Sequence, residues 1–201
     1  LNGRSGHRYS AGVSGTLITG SAIHYGYYMP FGLLTPASWV ALFTRRYMHL
    51  TGCTQDALFE IAQATRDYAV RNTAALFYQR PMTRADYDAG KKICNPLTLY
   101  DCCQESDGGC AIVVTTPERA RHLKQPGVSI RGVAQCIAKD QEEMTSFYRP
   151  DIARIPEMDL AADEAYAQCG LSAQDIDAAV IYDAFTPIVL WQLESWGFCK
   201  Y

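Results

Sequence analysis

Asp175-Ile176-Asp177-Ala178-Ala179-Val180-Ile181-Tyr182-Asp183-Ala184-Phe185-Thr186-Pro187 is an apolar run that ends in two polar residues and leads directly into a helix start. Ala178 to Tyr182 has the length and composition of a buried strand. Asp183-Ala184-Phe185 reads as a tight turn. Thr186-Pro187 opens a helix, because proline suits the first helical positions, where an N–H would go unused. In α/β proteins the C-terminal edge of a strand is where ligands bind. The next helix start offers free N–H groups and a positive dipole end to an anion, or to an oxygen that is gaining charge. Tyr182 and Asp183 stand at that edge and are the candidate catalytic residues. A plainly structural role fits them too: Tyr182 would close the strand and Asp183 would complement the helix dipole.

Downstream, Val189, Leu193 and Trp196 mark one face of the last helix, and Gly197 stops it. Upstream, Ser172-Ala173-Gln174-Asp175 caps a single turn. Leu160 to Cys169 forms a helix ended by Gly170, and Lys139 to Met158 reads as a loop. Val128 to Ile137 alternates as a strand does, and Gln125-Pro126-Gly127 before it is the best candidate domain boundary. Cys110-Ala111-Ile112-Val113-Val114 has the signature of a second buried strand, again feeding a Thr-Pro helix start at Thr116-Pro117. Asn95 to Tyr100 reads as an extended connection. Thr83-Arg84-Ala85-Asp86 begins a short helix after the break at Arg80-Pro81. Thr54 caps a helix whose buried side is Leu58, Ile61, Ala62 and Tyr68. Thr35-Pro36 opens a longer one with Trp39, Val40, Phe43, Tyr47 and Leu50 inward, His49 near its C-terminal dipole, and Gly52 at its end. Strands alternate with helices, so the fold class is α/β.

The 201 residues are 48% hydrophobic and 19% charged, with net charge -3, which is globular composition without a basic stripe for nucleic acid. No apolar run reaches the length of a membrane span. The eight cysteines are irregularly spaced, include the adjacent Cys102-Cys103 and form no C-x-x-C pair. They read as free thiols of a reducing cytoplasm, with no metal site. The opening at Leu1-Asn2-Gly3-Arg4 and the close at Gly197 to Tyr201 read as the middle of a longer polypeptide. Leu1 to Gly32 is rich in glycine, with Tyr25, Tyr27, Tyr28 and Phe31 between. It suits either a surface loop with aromatic packing or the lining of a ligand cleft.

Tyr182-Asp183-Ala184-Phe185-Thr186 resembles the thiolase motif Asn-Glu-Ala-Phe, and more closely the His-Asp-Cys-Phe form of sterol-carrier-type thiolases. Gly170 to Asp177 is similar to the Gly-Leu-x-x-x-Asp-Ile-Asp lead-in of that family. Ser106-Asp107-Gly108-Gly109-Cys110-Ala111 is similar to its Ser-Asp-Gly-Ala-Ala-Ala turn and strand. Asn2-Gly3-Arg4-Ser5-Gly6 fits the branch of lipid-transfer proteins and steroid side-chain aldolases. The resemblance implies a thiolase-like fold of two similar halves in five αβαβα layers, present here incompletely. Residues 1–126 would be the later part of the N-terminal half with its loop region, and 127–201 the beginning of the C-terminal half. It also implies a homodimer, an acyl-CoA substrate, no cofactor beyond the CoA of that substrate, and an OB-fold partner protein.

By the same resemblance, Tyr182 takes the place of the Asn or His that helps form an oxyanion hole. The thiolase nucleophile would lie upstream of Leu1 and the catalytic His downstream of Tyr201, and none of the eight cysteines matches a catalytic one. A phenol can donate to an enolate oxygen, or act as a base if its pKa falls. Three functions follow from the resemblance. The chain is a carbon–carbon lyase that cleaves a β-hydroxyacyl (steroid side-chain) CoA thioester by retro-aldol chemistry, a true thiolase (an acyltransferase), or a non-catalytic acyl-CoA carrier. Tyr27, Met29 and Phe31 are candidates to line the acyl pocket, since such pockets are mostly apolar.

Overall fold

The computed structural model describes residues 24–141, 147 and 149–200. The sequence readings on Leu1 to Gly20, including the Asn2 to Gly6 match, lie outside them. The described residues open with a π-helical turn at His24–Tyr28 and a 3-10 turn at Met29–Phe31. Two long helices follow, α1 (Pro36–Thr51) and α2 (Gln55–Arg71), then a short α3 (Arg84–Ala89). A two-stranded antiparallel hairpin comes next, β1 (Lys92–Cys94) and β2 (Leu97–Thr98), with Lys92 opposite Thr98 and Cys94 opposite Leu97. A 3-10 turn at Leu99–Asp101, the one-turn α4 (Pro117–Ala120), α5 (Pro156–Cys169), a 3-10 turn at Ala173–Asp175 and α6 (Thr186–Ser195) complete the order.

The helix boundaries follow local chemistry. At the start of α1 the Thr35 N–H donates to Ser38 Oγ at 3.4 Å, and the Ser38 hydroxyl donates to the Thr35 carbonyl at 2.6 Å. Gly52 ends the helix at φ 75°, a left-handed conformation that suits glycine, and its N–H returns to the Met48 carbonyl. Thr83 and Asp86 close a reciprocal capping box on α3 at 2.8 and 3.2 Å. Helix α5 begins four residues earlier than its apolar pattern predicts. Pro156 takes an early helical position and Glu157 lies in the first turn, where Arg149 grips it with bonds of 2.5 and 3.0 Å.

The core is built by α1, the hairpin and α6. Trp39, Val40, Phe43 and Tyr47 from α1 meet Leu58, Leu97, Phe185, Ile188 and Trp191. Tyr47 sits edge-on to Trp191 with ring centroids 6.1 Å apart, and its hydroxyl donates to Glu194 at 2.5 Å. A smaller cluster of Ala62, Met82 and Tyr87 lies beside it.

The structure narrows several predicted faces. Leu50 and Tyr68 are exposed, not buried. Neither belongs to an apolar cluster of the core. On α6 the buried residues are Thr186, Pro187, Ile188 and Trp191 rather than Val189, Leu193 and Trp196, because the core lies toward α1. Trp196 instead meets Tyr166 of α5 at 5.5 Å. Asn95 to Tyr100 is a hairpin turn, strand and 3-10 turn, not a plain extended connection.

The largest correction concerns the predicted strands. Neither 110–114, 128–137 nor 178–182 pairs into a sheet among the described residues. A strand exists through bonds to a neighbouring strand, and no neighbour is in place here. Their apolar side chains consequently stand in solvent: Val113 is 89% exposed and Val180 fully so.

Substitutions at two positions of α2 test the packing. Leu58→Ala, at a site with no exposure, should cost about 3 kcal/mol in denaturant unfolding. Tyr68→Ala should stay within about 0.5 kcal/mol.

Candidate functional site

The site is assembled where residues 98–103 meet residues 182–186. Thr98 caps the 3-10 turn that follows β2, and Asp101 reaches back to it. Asp101 is only 1% exposed, yet four donors satisfy it. The Thr98 N–H donates at 2.7 Å and the Thr98 hydroxyl at 2.9 Å. The Tyr87 hydroxyl donates at 2.8 Å and the Thr186 hydroxyl at 2.7 Å. A buried carboxylate is tolerable only when bonded in this way. The Tyr87 phenol in turn accepts from Gln55 Nε2 at 2.6 Å. Burial first, and then the Asp101 carboxylate, push its pKa well above the ordinary tyrosine value, so it remains a donor.

Thr186 is the first residue of α6, so Asp101 pins the start of that helix. The backbone adds two further ties. Cys103 donates its N–H to the Ala184 carbonyl at 3.0 Å, and Cys102 and Phe185 form an isolated antiparallel bridge. These contacts bring residues 98–103 and 182–186, nearly eighty residues apart in sequence, side by side.

Tyr182 is 61% exposed. Its hydroxyl points to Cys103 Sγ at 3.8 Å, and its carbonyl accepts from Gln192 Nε2 at 3.0 Å. The phenol therefore stands at the surface of the junction, not in the interior. Asp183 is half-buried and lines a cavity of about 510 Å³. Burial raises its carboxyl above the ordinary value, and bonds from its own backbone and from Thr65 only partly oppose this. Arg66 and Arg80 supply positive charge to the same cavity. The Arg66 guanidinium lies 3.9 Å over the Phe77 ring and donates to the Arg80 carbonyl at 3.1 Å. Cys102 also lines the cavity. Its thiol is pushed up to about 12, chiefly by burial and then by Asp101 and the neighbouring thiols Cys103 and Cys94, which keeps it protonated.

The structure thus joins Tyr182 and Asp183 at one edge and adds Cys103, Asp101, Arg66 and Arg80, none of which the sequence reading singled out for a site. One signal for Asp101 was present: Thr98 and Asp101 have capping-box spacing. Tyr27, Met29 and Phe31 are not brought to this cavity. Tyr27 and Phe31 are exposed, and between them Tyr28 packs edge-on to Trp39 and Phe147. All eight cysteines are free thiols. Among the described residues, no cluster of His, Cys, Asp and Glu is arranged to hold a metal, and no helix is long and apolar enough to cross a membrane.

Comparison with known proteins finds similarity along nearly the whole chain. A family described as "Thiolase C-terminal domain-like" matches residues 138–201. A steroid side-chain-cleaving aldolase of Thermomonospora curvata is 50% identical over 99% of this chain and 51% of its own length. A 17-hydroxy-3-oxo-4-pregnene-20-carboxyl-CoA lyase of Mycobacterium tuberculosis is 46% identical over 99% of this chain and 52% of its own. The solved structure of an "Ltp2-ChsH2(DUF35) aldolase" superposes with a TM-score of 0.85 at 52% identity, covering 89% of this chain and 47% of that one. The chain spans about half the length of the relatives it matches. Its fold is a thiolase-like α/β fold, seen here as a helix-rich body with a small sheet. By the identity along nearly all its residues and the matching fold, the chain is similar to proteins of the thiolase superfamily, and its C-terminal third matches their C-terminal domain.

Proposed function

We propose that this chain is part of a carbon–carbon lyase that cleaves a β-hydroxyacyl-CoA thioester, of the kind formed on a steroid side chain, by a retro-aldol reaction. The observation that carries the reading is the placement of the Tyr182 phenol and the Asp183 carboxyl together at the surface of the 98–103/182–186 junction, Asp183 on the wall of a cavity. In the reaction a base takes the proton of the β-hydroxyl. The electron pair of that O–H bond becomes the new carbonyl, the bond between the α and β carbons breaks, and its pair passes to the thioester as an enolate. Protonation of the enolate at carbon releases the shortened acyl-CoA.

The step needs one group to accept a proton and one to steady an enolate oxygen. Tyr182 and Asp183 can divide these tasks, with the carboxyl held closer to neutral pH by burial. The arginines on the cavity wall suit the phosphates of CoA. Two named relatives, an aldolase and a CoA lyase, support the same chemistry. A relative solved as an Ltp2-ChsH2(DUF35) aldolase supports the expectation of a partner protein, which we take to be an OB-fold subunit that helps hold the substrate. The assembly proposed is a cytoplasmic homodimer of the thiolase-fold subunit with that partner.

Two experiments on the full-length protein with its partner test this. Tyr182→Phe removes only a hydroxyl. It should lower kcat for cleavage of a β-hydroxyacyl steroid-CoA by about 100-fold or more, and a parental rate would refute the assignment. Asp183→Asn should abolish the acidic limb of the pH–kcat/KM profile. In the parent that limb should lie above the ordinary Asp value of about 3.9, because a raised pKa keeps the carboxyl protonated, and unable to accept a proton, until a higher pH.

A further inference from the structure

We propose that Asp101 is a positioning residue for the Tyr182–Asp183 edge, and that it acts through the hydroxyl of Thr186. This rests on the function proposed above. Four features argue for more than general stabilisation. First, Asp101 is buried without a cationic partner among the described ion pairs, and neutral donors alone satisfy it. A carboxylate is a costly choice for an interior position unless its geometry is used. Second, its donors come from three separate elements: Tyr87 on α3, Thr98 at the end of β2, and Thr186 at the start of α6. Third, Thr186 follows Asp183 by three residues, and the intervening Ala184 and Phe185 are already paired to Cys103 and Cys102. The segment from Asp183 to Thr186 is therefore fixed at both its backbone and its far end. Fourth, Asp101, Asp183 and Thr186 all border the same cavity, so the network supports the wall on which substrate would rest.

A carboxylate oxygen accepting from Thr186 sets where α6 begins relative to β2. That in turn sets the angle at which Asp183 faces the cavity and Tyr182 leaves it. A shift of this edge by about 1 Å is enough to cost on the order of 100-fold in rate. Such a shift would misplace Tyr182 and Asp183, whereas among the described residues Arg66 and Arg80 make no bond to the Asp101 network, so kcat should fall while KM holds.

The test uses the full-length protein with its partner. Thr186→Val keeps the shape of the side chain and removes the bond to Asp101, whereas Thr186→Ser keeps the bond. The expected result is a fall in kcat of about tenfold or more for Thr186→Val with KM within about twofold, and rescue to within about threefold by Thr186→Ser. Amide exchange at Cys103, whose N–H bonds to Ala184, should quicken in Thr186→Val and remain parental in Thr186→Ser. Should the valine variant not fold, Thr186→Ala removes the same bond with a smaller side chain, and the same pattern is expected. Parental kcat together with parental Cys103 exchange in the variant lacking the hydroxyl would overturn the proposal. So would a tenfold loss in Thr186→Ser. If the parent enzyme cleaves no β-hydroxyacyl-CoA, the functional reading fails, and the exchange measurement still decides whether Asp101 holds the edge.

Discussion

The junction depends on one buried negative charge. Asp101 has left water entirely, and a bare carboxylate in such a place would cost several kcal/mol. It is kept there by hydroxyls and an amide converging from α3, β2 and α6. Without those donors the meeting of the hairpin and the start of the last helix would rest on the backbone ties of Cys102 and Cys103 to Phe185 and Ala184. The apolar contacts of Leu97, Phe185 and Ile188 draw the same elements together, but hydrophobic attraction is non-directional. The carboxylate supplies the direction, and that direction decides where a phenol and a second carboxyl emerge.

Much of this was legible in the sequence, for physical reasons. Helix starts at Thr35-Pro36, Thr83 and Thr186-Pro187 are written in short-range chemistry, so they hold in the structure. Glycine stops at Gly52 and Gly170 follow from backbone freedom alone and hold too. The polar pair at the end of the 178–182 run was visible because two polar residues close an apolar stretch. The partners of that pair were not visible. Nothing local to Asp101 shows that Thr186, 85 residues on, will bond to it. Cys103 likewise reads as an unremarkable thiol until its N–H meets Ala184.

The strands failed for the converse reason. Apolar runs such as Ala111 to Val114 state a preference for burial, but pairing is a property of two segments. Side-chain pattern describes only one of them. In the described residues the second segment is missing, and the preference goes unmet. The faces of α2 and α6 show a milder form of the same problem. Periodicity locates an apolar stripe, while the width of the buried part is set by which neighbour arrives.

The phenol of Tyr87 adds a feature of order to the network. Its oxygen accepts from Gln55 and its single proton goes to Asp101, so the chain of bonds runs one way, from α2 through α3 to the carboxylate. Erasing that one oxygen would strand an amide on one helix and shorten the supply to a charge on another. Asp101 would keep the Thr98 and Thr186 donors, so the loss would loosen the tie to α2 and α3 and leave the tie to α6 in place.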